Sequence, residues 1–140
     1  MFKIVTSLDD LLKTYMVRGI VFMGEQQISY AMEVDDDEHA ALHILGEIDG
    51  EPVAAARVRY RAGYAKLERI AVRQEWRSQG LGSALTRFMI QTAKAHGYTT
   101  FKLHAQTYAK GLYEKLGFVE VGEPFMEAGI EHCLMIRQGG

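Results

Sequence analysis

The chain has 140 residues, of which 48% are hydrophobic and 24% are charged, and its formal net charge is −2. This length and composition suit one compact domain with a buried core and exclude a largely disordered chain. The slightly acidic balance argues against a nucleic-acid partner, because domains that bind nucleic acids usually have strong positive charge. We therefore expect one domain over residues 1–140.

Cysteine usage and the N-terminal residues indicate the compartment. Cys133 is the only cysteine, so one chain can form neither an internal disulfide nor a zinc site with several thiolates. Residues 1–6 lack the features of a secretory signal, and no apolar run reaches membrane-spanning length. The histidines lack metal-ligand spacing. We expect a cytoplasmic protein with no membrane partner and no metal, in which Cys133 is buried and structural.

The N-terminal third predicts a strand, a helix and an irregular segment. Residues 2–5 are β-prone, and Ser7 with Asp10 starts a helix whose apolar residues recur at helical spacing, namely Leu8, Leu11, Leu12, Tyr15 and Met16. Residues 24–39 are polar and end in a run of carboxylates. This run predicts a solvated loop, although it could also attract a cationic amine over long range.

The middle of the chain predicts a three-stranded meander. Alternating apolar residues and two glycine-containing turns delimit strands at residues 42–48, 53–60 and 65–72. The last of these strands departs from strict alternation, so we expect a β-bulge near Glu68 and Arg69.

The C-terminal half alternates helices and strands. A strong apolar stripe predicts a helix over residues 80–96, followed by a strand at 101–105, a helix at 107–116, and strands at 118–121 and 130–136. The first of these helices is long enough to make the strands on either side of it parallel neighbours. The fold class is therefore α/β, with a mixed, mostly antiparallel sheet flanked by helices.

One loop has the composition of an anion-binding site. Residues 77–82 read Arg-Ser-Gln-Gly-Leu-Gly between a strand and the strong helix, where backbone N–H groups lack helical partners and the helix dipole is positive. Arg69, Arg73 and Arg77 could add charge there. The spacing matches neither the dinucleotide fingerprint nor the P-loop, and glycine spacing alone suits close helix packing equally well.

The same loop resembles the acyl-CoA loop of the GNAT superfamily of N-acetyltransferases, with Arg77, Gly80 and Gly82 at the matching positions. Residues 111–118, Gly-Leu-Tyr-Glu-Lys-Leu-Gly-Phe, resemble the segment that follows the fifth strand in that superfamily. The acidic run followed by Glu38-His39-Ala40 is similar to small bacterial ElaA-like proteins. The resemblance covers about residues 40–137 and implies the GNAT fold.

The resemblance implies acetyl-CoA as the co-substrate. The backbone of Ile70, Ala71 and Val72 would then pair with the pantetheine arm. The pyrophosphate would be wrapped by Arg77, Ser78, Gln79, Gly80, Leu81, Gly82 and Ser83. Gln106 departs from the asparagine that many members have, which leaves the cofactor contact at that position undetermined.

The resemblance also implies direct transfer of an acetyl group to a primary amine in a ternary complex. Tyr113 would protonate the departing thiolate, although its helical spacing also suits a core-facing aromatic. Glu68 is the first candidate for the base and His104 the second, and each could instead be structural. A non-catalytic acyl-CoA-binding or sensing module, or a domain that binds another phosphate ligand at the Gly80 helix, are the alternatives.

The sequence is compatible with several amine acceptors and with more than one oligomeric state. The acceptor could be a polyamine, an amino sugar, an amino acid or a protein amine, and a homodimer is possible because dimers are common in the superfamily. Arg57, Arg59 and Arg61 fall on one strand face, where they could steer a polyanionic cofactor or face water.

Overall fold

The computed structural model describes residues 1–139, which form a seven-stranded sheet in the order β1-β2-β3-β4-β5-β7-β6. The strands are β1 (Phe2–Ile4), β2 (Leu42–Ile48), β3 (Glu51–Arg61), β4 (Tyr64–Val72), β5 (Thr100–Gln106), β6 (Val119–Glu127) and β7 (Ile130–Gln138). Only β4 and β5 are parallel; every other neighbouring pair is antiparallel. The predicted α/β class and mostly antiparallel sheet are confirmed.

Within residues 1–139, four α-helices flank the sheet: α1 (Leu8–Arg18), α2 (Tyr30–Glu33), α3 (Leu81–Ala95) and α4 (Lys110–Glu114). A π-helical turn, Gly19–Glu25, continues α1, and three short 3₁₀ turns cover Asp36–Glu38, Gln74–Trp76 and Thr107–Ala109. As expected, α3 is the crossover between parallel strands, since it connects β4 to β5.

The small residues of β3 explain how both faces of the sheet are covered. Ala54, Ala56 and Val58 belong to the main core with the buried residues of α3, whereas Ala55 packs with Val17 and other residues of the α1 segment. Because neighbouring strand residues point to opposite faces, a run of alanines lets a helix approach the sheet closely on each side. β3 is therefore buried on both faces.

β4 and β5 separate soon after they pair. Their register includes only Ala65 with Phe101 and Lys66 with Lys102, although both strands continue. The predicted bulge in β4 is confirmed: Arg69 has a φ of 54°, and the register with β3 shifts between Ala55 and Arg57. The edge of β4 beyond Lys66 is therefore free of strand partners on the β5 side.

The predicted helix α1 is confirmed, but its buried face is not the predicted one. Ser7 accepts a hydrogen bond from the backbone N–H of Asp10, as expected for its cap. The residues packed on the sheet are Thr14, Val17 and Arg18, each 0% exposed. The predicted apolar stripe is largely exposed, because the buried guanidinium of Arg18 binds carboxylates under the helix and fixes its rotation.

Two further segments differ from expectation. The acidic stretch predicted as an irregular, solvated loop contains α2 and a 3₁₀ turn, and Glu33 is only 3% exposed. β6 extends to Glu127, beyond the predicted end at residue 121, because the chain bends at Gly122 (φ 79°) and then resumes pairing with β7. A turn at Ala128 and Gly129, both with positive φ, joins the two strands.

Candidate active site

A cavity of about 500 Å³ lies where β4 and β5 separate. Residues of both strands line it, together with residues of the π-helical turn, of α4 and of the β6–β7 hairpin. Tyr113, Glu68, Ile70, Ala71, Val72, Arg77, His104 and Gln106 all lie on its surface. The structure thus brings together candidates that are far apart in the sequence.

The β4 wall of the cavity offers backbone groups. Ile70, Ala71 and Val72 line it beyond the bulge, where β4 has no paired strand on the β5 side. On this edge the carbonyl of Val72 accepts a hydrogen bond from Arg77. The N–H and C=O groups that stay free can pair with an extended chain that has matching amides. The arrangement therefore fits a pantetheine arm.

The start of α3 offers unpaired backbone donors. Gly80 is the N-cap with a φ of 79°, and no side chain caps the helix. The first helical bond runs from the N–H of Ala84 to the carbonyl of Gly80 (3.0 Å), so the N–H groups of Leu81, Gly82 and Ser83 have no helical partner. We call residues 77–83 the anion loop, because such donors and the helix dipole favour a phosphate group.

The two glycines of the anion loop have different surroundings. A Cβ at Gly80 would meet no atom within 4 Å, so the space in front of this residue is open. A Cβ at Gly82 would lie 3.3 Å from Cδ1 of Leu112 in α4, so this glycine also allows two helices to pack closely. Gly80 therefore suits the close approach of a phosphate, whereas Gly82 suits close helix packing.

The arginines expected around the anion loop are engaged elsewhere. Arg77 donates to both carboxylate oxygens of Glu25 (2.8 Å each) and to the carbonyl of Val72 (2.8 Å). Arg73 is ion-paired with Glu51, and Arg69 donates to the carbonyls of residues 32 and 33 in α2. The expectation that all three add charge at the loop is therefore wrong for Arg69.

Tyr113 lies on α4 and is 8% exposed at the cavity. Its ring makes an edge contact with Phe118, with ring centroids 6.1 Å apart, within the main core. Burial raises the pKa of Tyr113 well above its usual value, so the phenol stays protonated at neutral pH. Tyr113 is thus a core aromatic that also lines the cavity and carries a protonated phenol.

Glu68 also reaches the cavity, but cations hold both of its carboxylate oxygens. Oε1 accepts from Nε of Arg59 and lies 3.4 Å from Nε of Arg57, while Oε2 lies 3.0 Å from Nη2 of Arg59 and 3.4 Å from Nζ of Lys66. Burial alone would raise the pKa of Glu68, but the hydrogen bond from Arg59 and the neighbouring positive charges lower it. Its carboxylate is therefore a weakened base.

Glu68 is part of a larger cluster, which we call the ion-pair network: Arg18, Glu33, Asp35, Glu38, Arg57, Arg59, Glu68 and Arg69. Arg18 and Arg57 are both 0% exposed. Buried charges of this kind require paired partners, because each isolated charge would cost several kcal/mol of desolvation. The carboxylates of the acidic stretch meet this requirement.

Glu38 is the centre of the ion-pair network. It accepts from Arg18 (2.8 Å) and from Arg57 (2.7 Å), so one carboxylate joins α1 to β3. Burial alone would raise the pKa of Glu38, but the hydrogen bonds and charge of Arg18, with the charge of Arg57, lower it to about 2. The hydrogen bond from Arg57 likewise holds the pKa of Asp35 far below its usual value.

The arginines of β3 do not face water as a free positive stripe. Arg57 is fully buried, and the side chain of Arg59 is 11% exposed, while Arg61 alone is exposed. Because carboxylates neutralise Arg57 and Arg59, these two side chains neither face water nor form a free positive surface that could steer a polyanionic cofactor.

His104 lies on β5 at the cavity, and its Nδ1 is 2.9 Å from Oε1 of Glu127. The hydrogen bond from His104 lowers the pKa of Glu127, so the carboxylate is ionised at neutral pH. Glu127 was not a candidate in the sequence, because Gly122 and Pro124 obscured the second half of β6. The Ala128-Gly129 pair was the signal that a hairpin ends there.

A pair of glutamines bridges the cavity. The side-chain amides of Gln26 and Gln106 donate to each other, at 3.2 Å and 2.8 Å, and join the end of the π-helical turn to the end of β5. Gln106 therefore has a partner within this chain at the position where many family members have asparagine. No local pattern in the sequence indicated Gln26.

Two negative findings concern the described part of the chain. Among residues 1–139, no group of three or more His, Cys, Asp or Glu side chains is arranged to hold a metal ion. Over the same residues, no helix has both the length and the apolar composition needed to cross a membrane. Cys133 is buried, as predicted.

Comparison with known proteins agrees with this geometry. The family model for the acetyltransferase (GNAT) domain matches residues 12–138. The uncharacterized N-acetyltransferase YjcF of Bacillus subtilis is 38% identical over 131 residues, which are 92% of this chain and 93% of YjcF. The crystal structure of Escherichia coli ElaA is 26% identical, with a TM-score of 0.88 over 99% of each chain.

A more distant neighbour has a similar fold. The crystal structure of a GNAT family acetyltransferase from Elizabethkingia anophelis, which has acetyl-CoA bound, gives a TM-score of 0.76 over 99% of this chain and 97% of that one, at 18% identity. This likeness concerns the fold. The matching family model and the 38% identical relative show that the chain belongs to the GNAT acetyltransferase family.

Proposed function

We propose that this protein transfers an acetyl group from acetyl-CoA to a primary amine, directly and within a ternary complex. One observation carries the proposal. The free edge of β4, the start of the anion loop and the Tyr113 side chain all meet at the same cavity. A long ligand with amides in its middle and phosphates at one end matches that order of groups.

The binding of acetyl-CoA is assigned to backbone groups. Ile70, Ala71 and Val72 would pair with the pantetheine arm, and the anion loop from Arg77 through Ser78, Gln79, Gly80, Leu81 and Gly82 to Ser83 would surround the pyrophosphate. The unpaired N–H groups at the start of α3 and the open space at Gly80 support this assignment. The neighbour from Elizabethkingia anophelis, crystallised with acetyl-CoA, supports it as well.

The chemistry needs a neutral amine, a stabilised oxyanion and a proton for the leaving thiolate. Acetyl-CoA supplies the thioester. We assign the proton for the thiolate to Tyr113, whose raised pKa keeps the phenol protonated. The free N–H groups of β4 are the available donors for the oxyanion. Glu68 and His104 both line the cavity as candidates for the base.

A thermal-unfolding series with acetyl-CoA, CoA, ATP and NAD tests the cofactor. A ligand at about 100 times its dissociation constant stabilises by about 2.7 kcal/mol, which moves the midpoint by several degrees. We expect this shift with acetyl-CoA and with CoA, and none with NAD. An equal shift with ATP would favour a general phosphate-binding domain, and no shift with either CoA species would contradict the proposal.

A Tyr113→Phe variant separates an enzyme from a non-catalytic acyl-CoA-binding module. We expect unchanged acetyl-CoA affinity and a loss of about 10²–10⁴ in the rate of CoA thiol release, since that is the usual contribution of a general acid. Tyr98→Phe is the matched control, because Tyr98 stacks on Tyr60 outside the cavity. Equal turnover in Tyr113→Phe and the parent would remove Tyr113 from the mechanism.

The acceptor is to be found by a screen with spermidine, glucosamine, free lysine and a lysine-containing peptide, which represent the four classes that the sequence leaves open. CoA thiol release and the mass of the acetylated amine are both measured. Release of thiol without an acetylated product would indicate hydrolysis and would contradict N-acetyl transfer.

A further inference from the structure

The histidine at the cavity is held in one orientation. Its Nδ1 lies 2.9 Å from Oε1 of Glu127, and the edge of its ring meets Phe125, with ring centroids 4.9 Å apart and an interplanar angle of 76°. A carboxylate only accepts hydrogen bonds, so the proton of the neutral imidazole lies on Nδ1. Nε2 of His104 then has a free lone pair.

The β6–β7 hairpin brings the carboxylate to this place. His104 pairs with Leu134 of β7, and Glu127 ends β6 next to the tight turn at Ala128 and Gly129. Glu127, Ala128 and His132 line the same cavity as His104. The hairpin therefore forms part of the cavity wall, in addition to closing the edge of the sheet.

We propose that His104 is the general base of the transfer and that Glu127 is its positioning residue. This assignment rests on the proposed function. Nε2 of His104 takes a proton from the acceptor ammonium, and the neutral amine nitrogen attacks the thioester carbonyl carbon. The N–C bond forms with loss of the second amine proton to solvent, the C–S bond breaks, and the thiolate takes the proton of Tyr113. His104 releases its proton and Tyr113 regains one from water.

The contacts of the rival base support this choice. Both carboxylate oxygens of Glu68 are occupied by Arg57, Arg59 and Lys66, so a proton on Glu68 would disrupt the ion-pair network. His104, in contrast, has a single partner among the charged groups. The side chain is 30% exposed, which leaves it open to an incoming amine. Histidine is also the side chain that changes protonation between pH 5 and 8.

Other charged groups around the pair have to be considered in any pH profile. His132 of β7 lies 3.8 Å from the second carboxylate oxygen of Glu127, and its Nδ1 contacts the carbonyl of Ile130. From β4, Lys66 and Glu68 face the same cavity. The lowered pKa of Glu68 keeps its carboxylate ionised throughout the neutral range.

The kinetic test uses the alkylamine selected by the acceptor screen and, in parallel, methoxyamine, whose weak basicity leaves it neutral at pH 7, so that it needs no deprotonation before attack. For His104→Ala we expect kcat with the alkylamine to fall by about 10²–10⁴. The loss with methoxyamine should be much smaller, and added imidazole should restore turnover with the alkylamine. Equal losses with both acceptors and no rescue would overturn the assignment.

Glu127→Gln tests the positioning role. It should lower turnover less than His104→Ala, and the loss should be larger with the alkylamine than with methoxyamine, because only the alkylamine needs the base. Glu127→Asp should restore part of the loss. The control is Glu131→Gln, an exposed carboxylate of the same hairpin. Equal losses of Glu127→Gln turnover with both acceptors would contradict the positioning role.

A measurement without any acceptor separates this proposal from the proposed function. In protein with ¹⁵N-labelled histidine rings, the His104 signals should show a protonated Nδ1 and a free Nε2, and Glu127→Gln should remove that preference. A protonated Nε2 in the parent would overturn the assignment even if transfer occurs. Tight acetyl-CoA binding with no turnover on any acceptor would instead contradict the proposed function.

Discussion

The anion loop and the ion-pair network reach the same cavity, the loop through Arg77 and the network through Glu68 and its neighbours, and they are built in different ways. The anion loop presents backbone N–H groups, placed by a few neighbouring residues such as Gly80 with its φ of 79°. The ion-pair network joins side chains from α1, the acidic stretch, β3 and β4. A backbone site needs only a local motif, whereas a charged site needs the whole fold. This difference predicts distinct responses to mutation.

The largest effect is expected at the centre of the ion-pair network. Glu38→Gln removes the charge that neutralises the fully buried Arg18 and Arg57. Breaking a buried pair at one partner typically costs about 3–5 kcal/mol, because the other charge stays buried. We expect a loss of this size in the free energy of unfolding, measured by urea denaturation.

Asp36→Asn is the control for that loss. Asp36 belongs to the same acidic run but is exposed, so its substitution should change stability by less than about 0.5 kcal/mol. If Glu38→Gln and Asp36→Asn lowered the free energy of unfolding equally, the ion-pair network would contribute no more to stability than exposed surface charges.

Acid should weaken the ion-pair network in a defined pH range. The pKa of Glu38 is lowered from 4.5 to about 2 in the folded protein, so the unfolded chain binds the proton more readily. The resulting stability is fully present above about pH 5 and is lost as the pH falls toward 2. The stability gap between the parent and Glu38→Gln should therefore narrow with acid. Urea midpoints at about pH 6, 4 and 3 measure it, and a constant gap would contradict it.

The same difference explains what the sequence could and could not reveal. The anion loop, the crossover helix α3 and the bulge at Arg69 follow from local patterns of glycine and apolar residues, and the structure has the helix and the bulge where the patterns indicated. The role of Glu38 depends on Arg18 and Arg57, which are 20 and 19 residues away. Charged runs usually face solvent, so nothing local distinguished Glu38 from Asp36.

Glu127 and Gln26 were missed for the same reason. The partners of both residues, His104 and Gln106, lie on β5, and only the completed sheet brings these strands and turns together. The opposite case is the apolar stripe of α1, which the sequence does show at helical spacing but which is largely exposed. A single buried arginine, Arg18, determines which face of the helix packs on the sheet.

An effect of intermediate size on acetyl-CoA binding is expected from Gly80→Ala in the anion loop, and Gly63→Ala is its matched control. Both glycines have positive φ (79° and 86°), and a Cβ at either would meet no atom within 4 Å. Each substitution should cost about 1–2 kcal/mol of stability from backbone strain. Only Gly80→Ala should also weaken acetyl-CoA binding, about tenfold or more, since a hydrogen bond to a charged group contributes about 1.5–3 kcal/mol. Equal acetyl-CoA affinities in the two variants, measured by calorimetry, would contradict the backbone site.

The smallest effect is expected from Arg77→Ala, and it tests whether the anion loop depends on backbone groups alone. Arg77 and Glu25 are 40% and 29% exposed, and exposed ion pairs contribute about 0–1 kcal/mol. By the same reasoning acetyl-CoA affinity should fall by about fivefold at most, and less at high salt. Arg87→Ala, an exposed arginine on α3, removes an equal charge as the control. If Arg77→Ala lowered acetyl-CoA affinity as much as Gly80→Ala, binding at the anion loop would depend on side-chain charge, as the ion-pair network does.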